Sequence, residues 1–310
     1  MRVGATTVLY ALPRSSAATL SLIAFPGDAV AFPGWPCLHG ARGCHPHAGG
    51  LLGALFGRLE RMGTAQATAL FVVEPEALSD HHAVFSQFLP PTTASGEPVQ
   101  GYDGRRRIAS MQLAGVLDAV RRAAAHAQIP PLPVAIPLIV AGFSKGGVVA
   151  NQILAELALA SDVQCLDAVR KDQRLWEEET VGHALDPNGD GTAVLSRLAE
   201  VHFLDVGLHC RGAYLTDMVV AAALGARSSP PRLFFHGTPR QWRDPTRRWL
   251  VDEKDRSVQI LREGGLSVIE REYFVMEQPS LEMHFRVCEE FETSGSSLLD
   301  RLDNRDASRS

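Results

Sequence analysis

Directly between an apolar run and a helical stretch, the chain reads Gly142-Phe143-Ser144-Lys145-Gly146-Gly147. No other segment constrains the fold as tightly. A Gly-x-Ser-x-Gly turn in this position lifts the serine Oγ to the carboxyl edge of a sheet, at the positive end of the following helix. Gly142 and Gly146 are small because the turn brings backbone against backbone. The N–H of Lys145 then becomes one donor of an oxyanion hole. The plainer reading of the same residues is a tight strand-to-helix turn that only packs.

The surroundings favour the first reading. Short apolar runs at 6–12, 19–25, 69–73, 134–141, 201–205, 232–236 and 266–274 alternate with helical stretches, which predicts a mostly parallel sheet covered by helices on both faces. Leu113, Val116, Leu117 and Val120 share one helical face, and Val149, Ile153 and Leu157 share another, giving an amphipathic helix after the serine. Further helices are expected at 216–224, 255–262 and 281–291. Residues 89–104 read as a loop, 161–200 as a charged insertion and 293–310 as a polar, disordered tail. No linker divides the chain, so one α/β-hydrolase-like domain over 1–292 is expected.

Composition excludes several function classes. The 310 residues are 45% hydrophobic and 21% charged, the make-up of an ordinary globular chain rather than a disordered one or a collagen. The net charge of −5 gives no positive field for nucleic acid, and no apolar run approaches the roughly 18 residues of a membrane span. Five cysteines, an odd number with no Cys-x-x-Cys pair, argue for a reducing compartment. Up to Asp28 the chain has arginines and no acid, a transit-peptide composition in which at most the first fifteen or so residues could be dispensable.

A nucleophilic serine needs partners. The second oxyanion donor fits Gly27 or Asp28, where a strand runs into Phe25-Pro26-Gly27-Asp28. The base fits His284, after the last strand and at the start of the last helix; His236, in His236-Gly237, reads as an edge-shaping turn. The acid that orients the imidazole is either Asp244, in Arg243-Asp244-Pro245, or Asp205, at the end of an earlier strand. Metal signals are weak. Asp186, Asn188, Asp190 and Gly191 open like a calcium loop, but Arg197 stands where its glutamate should be. Cys37, His39, Cys44, His45 and His47 match no zinc spacing. No metal or cofactor is expected, and Arg105–Arg107 read as a solvated helix face.

These residues carry a resemblance. Phe25-Pro26-Gly27-Asp28, Gly142-Phe143-Ser144-Lys145-Gly146 with Val148-Val149 and Asn151-Gln152, and Leu204-Asp205 are similar to segments of the chromosome 2 open reading frame 69 protein family. So are Thr238-Pro239, Arg243-Asp244-Pro245, Val258-Gln259-Ile260-Leu261 and His284-Phe285-Arg286-Val287. The resemblance implies an α/β-hydrolase-like mitochondrial protein, with Ser144 as nucleophile and Asp244 and His284 as its partners. The expected activity is ester or thioester hydrolysis through an acyl-enzyme on a small-molecule or acylated substrate, with a thioesterase or deacylase acting on lipidated protein as the enzymatic rival. The alternatives are a catalytically silent interaction or scaffold protein of the same fold, and a cytoplasmic address.

Overall fold

The computed structural model describes residues 2–3, 6–13, 18–29, 48–128, 133–160 and 191–293. Eight strands form one sheet: β1 (Arg2–Val3), β2 (Thr6–Ala11), β3 (Leu20–Phe25), β4 (Thr68–Val73), β7 (Leu138–Phe143), β8 (Leu198–Leu204), β9 (Arg232–Gly237) and β10 (Val268–Glu272). Their order is β1-β2-β4-β3-β7-β8-β9-β10. The β1–β2 and β2–β4 pairs are antiparallel and every other pair is parallel. A small hairpin, β5 (Ala77–Ser79) with β6 (His82–Val84), follows β4.

The central strands are apolar throughout because both faces are covered. On one face Leu22, Ala24, Ile139, Ala141 and Leu204 pack with Leu51 and Leu55 of α1 (Ala48–Arg61) and Phe285 of the last helix, α8 (Leu281–Glu290). On the other face Ile23, Val140, Val201 and Phe235 pack against α2 (Ile108–His126), α3 (Gly147–Leu159), α5 (Met218–Gly225) and α7 (Arg248–Glu263). Two short helices, α4 (Gly191–Leu195) and α6 (Pro239–Trp242), complete the set among the described residues.

Register aligns the carboxyl ends of the central strands. Phe25 pairs with Gly142, Phe143 with Leu204, and Leu204 with His236. The residues that follow these ends therefore emerge side by side: Gly27, Ser144, Asp205 and Thr238.

Several expectations shift. The run at 134–141 begins its strand only at Leu138, because Pro137 has no N–H to give the ladder. The end of the 161–200 segment is α4 and the start of β8, while 161–190 and the Asp186 turn lie outside the described residues, as do Cys37–His47 and the tail from 294. Helix α1 was not legible, since Gly49, Gly50, Gly53 and Gly57 dilute its apolar stripe.

Helix α3 is not amphipathic in its setting. Every residue from Gly147 to Ala158 is buried, including three polar ones. Asn151 donates to the Tyr102 hydroxyl and to the carbonyl of Ala213, and Gln152 donates to the carbonyl of Asp103. Glu156 accepts the N–H groups of Ala109 and Ser110, both at 2.8 Å. That carboxylate caps α2 from a neighbouring helix, in place of the local cap that Arg107 does not provide. Arg107 itself is buried at a φ of +51°, its guanidinium on Thr192 and the carbonyl of Leu159. The solvated face expected at Arg105–Arg107 is thus a buried junction at its last residue.

Candidate active site

Ser144 follows β7 at a φ of +52°, a left-handed conformation costly for a residue with a Cβ. The close packing of the turn fixes it there. A Cβ on Gly142 would lie 2.6 Å from the Cα of Gly147, and one on Gly146 would lie 2.0 Å from the carbonyl oxygen of Phe25. Gly27 backs directly onto the serine, since a Cβ there would stand 2.4 Å from the Ser144 Cβ. The Pro-Gly turn after β3 is thereby placed beside the serine.

His284 lies in the first turn of α8, whose N-terminus is capped by Ser280 through the N–H of Met283. Its ring packs on Phe143, the residue before the serine, with centroids 4.7 Å apart. Its Nδ1 pairs with Asp205 Oδ2 at 2.6 Å. Asp205 is fully buried and, like the serine, has a left-handed backbone, at a φ of +45°. It also accepts the Thr238 N–H at 2.7 Å and the Thr238 hydroxyl at 3.0 Å. A carboxylate oxygen at this distance is the acceptor for an Nδ1–H, which fixes the orientation and tautomer of the imidazole.

Asp244 stands elsewhere. It caps a short 3-10 turn, accepting the N–H and hydroxyl of Thr246, and it pairs with Arg247 Nε at 2.9 Å. Those hydrogen bonds, from Thr246 first and Arg247 next, hold its carboxyl down to about 2. Of the two candidate acids, the partner of the imidazole is therefore Asp205, not the Asp244 that the resemblance implied. The Arg-Asp-Pro pattern is a turn cap, and Asp-Pro is a composition that turns share with functional loops.

Lys145 was expected to contribute only its N–H, yet its side chain is 1% exposed. Its Nζ lies 2.7 Å from the carbonyl of Ser95, 3.0 Å from Asp28 Oδ1 and 3.4 Å from both Glu97 Oε1 and His82 Nδ1. Asp28 also accepts the Ala83 N–H at 2.7 Å and meets His82 Nδ1 at 3.2 Å. Burial pushes the Glu97 carboxyl up, but the Thr93 hydroxyl and the Lys145 ammonium outweigh it and leave the group below its usual range. Asp28, His82 and His209 bring metal-capable atoms within 4.8 Å of one another. The Lys145 ammonium stands next to two of the three, 3.0 Å from Asp28 Oδ1 and 3.4 Å from His82 Nδ1.

Behind the edge runs a second buried polar chain that sequence did not suggest. Tyr273 receives the Glu292 N–H and can give its own hydroxyl proton to His236 Nδ1, 2.9 Å away. His236 Nε2 then donates to His202 Nδ1 at 3.0 Å, and His202 Nε2 to Glu200 at 3.0 Å, with Arg232 neutralising the carboxylate at 2.6 Å. Burial first, then the neighbouring His202, hold the His236 imidazole well below its usual range. His236 is therefore a neutral structural link across β8, β9 and β10, consistent with an edge-shaping role.

A mostly parallel sheet in this order, with a strained serine between strand and helix and an acid–histidine pair at the same edge, defines the α/β-hydrolase fold. Within that class the chain belongs to the C2orf69 family, whose model matches residues 109–267. It is 32% identical over 184 residues to the mitochondrial protein C2orf69 homolog of Danio rerio, covering 59% of this chain and 46% of that protein. It is 34% identical over 150 residues to mitochondrial protein C2orf69 of Homo sapiens, covering 48% and 32%. The alignments thus span less than half the length of these curated relatives. Among solved structures the chain is similar to a Bacillus cereus carboxylesterase at 12% identity and a TM-score of 0.43, covering 92% of each chain. It is also similar to Zea mays acyl-protein thioesterase 2 at 12% identity and a TM-score of 0.38, covering 91% and 96%. No helix among the described residues is long and apolar enough to cross a membrane.

Proposed function

We propose that this protein is a serine hydrolase acting on a carboxylic ester or thioester. The observation that carries the reading is the 2.6 Å contact of His284 Nδ1 with buried Asp205, beside a serine held at a φ of +52°. With Nδ1 committed to Asp205, Nε2 is the nitrogen that takes the Ser144 proton as Oγ bonds to the acyl carbon. The same proton passes to the leaving alkoxide or thiolate as the acyl-enzyme forms. Water then adds to the acyl carbon, giving its proton to His284, and the Ser144 oxygen leaves and recovers that proton. Charge on the carbonyl oxygen is met by N–H groups of the Gly27–Asp28 turn and of Lys145. This chemistry needs no cofactor.

Labelling with a fluorophosphonate probe and mapping the adduct tests this reading. The expected result is a single adduct on Ser144, lost in Ser144→Ala. Absence of labelling in the folded protein would favour the catalytically silent interaction protein instead. The names of the relatives support a mitochondrial location, which fractionation of cells with an antibody to this chain would check. A cytosolic signal would contradict it.

A further inference from the structure

We infer that the Lys145 side chain is a positioning element, strapping the oxyanion turn and the Thr93–Glu97 turn to the serine-bearing turn. The inference rests on the hydrolase reading above and adds to it a role for a group that reading leaves unused. An ammonium has three protons to donate. Lys145 faces one oxygen from each of three residues, two of them on the Thr93–Glu97 turn: Asp28 Oδ1 at 3.0 Å, the Ser95 carbonyl at 2.7 Å and Glu97 Oε1 at 3.4 Å. A lysine next to an edge serine would ordinarily extend into water, so near-complete burial calls for a reason.

The turns it gathers are the ones that matter for geometry. Gly27 touches Ser144, and Asp28 is its neighbour, so whatever anchors the Asp28 carboxylate sets where the N–H groups of that turn point. The other turn is wedged in place. Gly96 sits at a φ of +84°, and a Cβ there would lie 2.4 Å from the carbonyl oxygen of Ala83, whose N–H is already bonded to Asp28. Removing the ammonium would leave Asp28 and Glu97 facing one space without a cation between them. Their repulsion would push the two turns apart. A displacement of about 1 Å at an active site can cost about 10² in rate.

The test compares fluorophosphonate labelling rates and p-nitrophenyl butyrate hydrolysis in the full chain. Lys145→Met is expected to lose about 10² to 10³ in kcat and in labelling rate, the scale of one missing oxyanion donor, while KM changes little. Adding Glu97→Gln to Lys145→Met relieves the repulsion and is expected to recover about tenfold, which a merely structural lysine would not allow. If Lys145→Met fails to fold, Asp28→Asn keeps an acceptor for Ala83 but loses the ion pair. It should also lower kcat by at least about tenfold at nearly constant KM. Wild-type rates in a folded Lys145→Met or Asp28→Asn would overturn the strap while leaving Ser144 as nucleophile. An unlabelled wild type would overturn the hydrolase reading, and the strap with it.

Discussion

At the scale of single residues, two aspartates show how differently the same side chain can be placed. Asp205 is buried, bonded by Thr238 and paired with His284, whereas Asp244 is a turn cap. Asp205→Asn would present an amide N–H where the imidazole needs an acceptor, so the ring would take the wrong tautomer. A loss of about 10⁴ in kcat is expected, against less than about threefold for Asp244→Asn. Steady-state hydrolysis of a p-nitrophenyl ester measures both, and equal losses would contradict the assignment. Gly27 makes a second point. Its substitution by alanine puts a methyl 2.4 Å from the Ser144 Cβ, an atom that no side-chain rotation can move away. Gly27→Ala should fold with near-native circular dichroism yet label at least about 10²-fold more slowly.

At the scale of elements, the cap of α2 is supplied by another helix. Glu156 binds the Ala109 and Ser110 N–H groups with both oxygens and is steadied by Gln152 at 2.9 Å. Burial, only partly offset by these hydrogen bonds, raises its carboxyl above the usual range. Truncation by Glu156→Ala leaves two buried donors without acceptors and opens a gap between α2 and α3. A loss of about 2–4 kcal/mol is expected, read as a lower urea midpoint at unchanged m-value. A shift under about 0.5 kcal/mol would show that α2 does not depend on this cap.

At the scale of the whole molecule, the buried Glu200–His202–His236–Tyr273 chain ties three strands to the end of α8, which carries His284. Because His236 has a folded pKa depressed below 6.5, the unfolded chain takes a proton there that the folded one refuses. Stability from this group is present above about 6.5 and is lost as pH falls from there toward the folded value. Glu156, shifted upward, works in the opposite sense, since the folded state holds its proton more tightly. The His236 contribution to the melting temperature should therefore fall from pH 7.5 to 5.5. In His236→Phe, which keeps an aromatic ring in the stack with Phe234, that slope should be shallower, although the variant starts lower. An equal slope would remove His236 as its source.

Local sequence was enough to determine the strand–serine–helix turn, the alternation of strands with helices and the position of His284. Each depends on periodicity, glycine placement or chain order, which are properties of near neighbours. Tertiary structure alone decided which acid meets the histidine. Asp205 and Asp244 both follow strands, but the β7–β8–β9 register sets Asp205 beside Ser144 and under Thr238, while Arg247 and Thr246 claim Asp244. The same holds for Lys145 and Glu156. A charged side chain on a turn or helix reads as solvated until packing surrounds it with oxygens or N–H groups from residues roughly 50 positions away or more in sequence. Burial and long-range pairing are properties of the assembled layers, so no local pattern contains them.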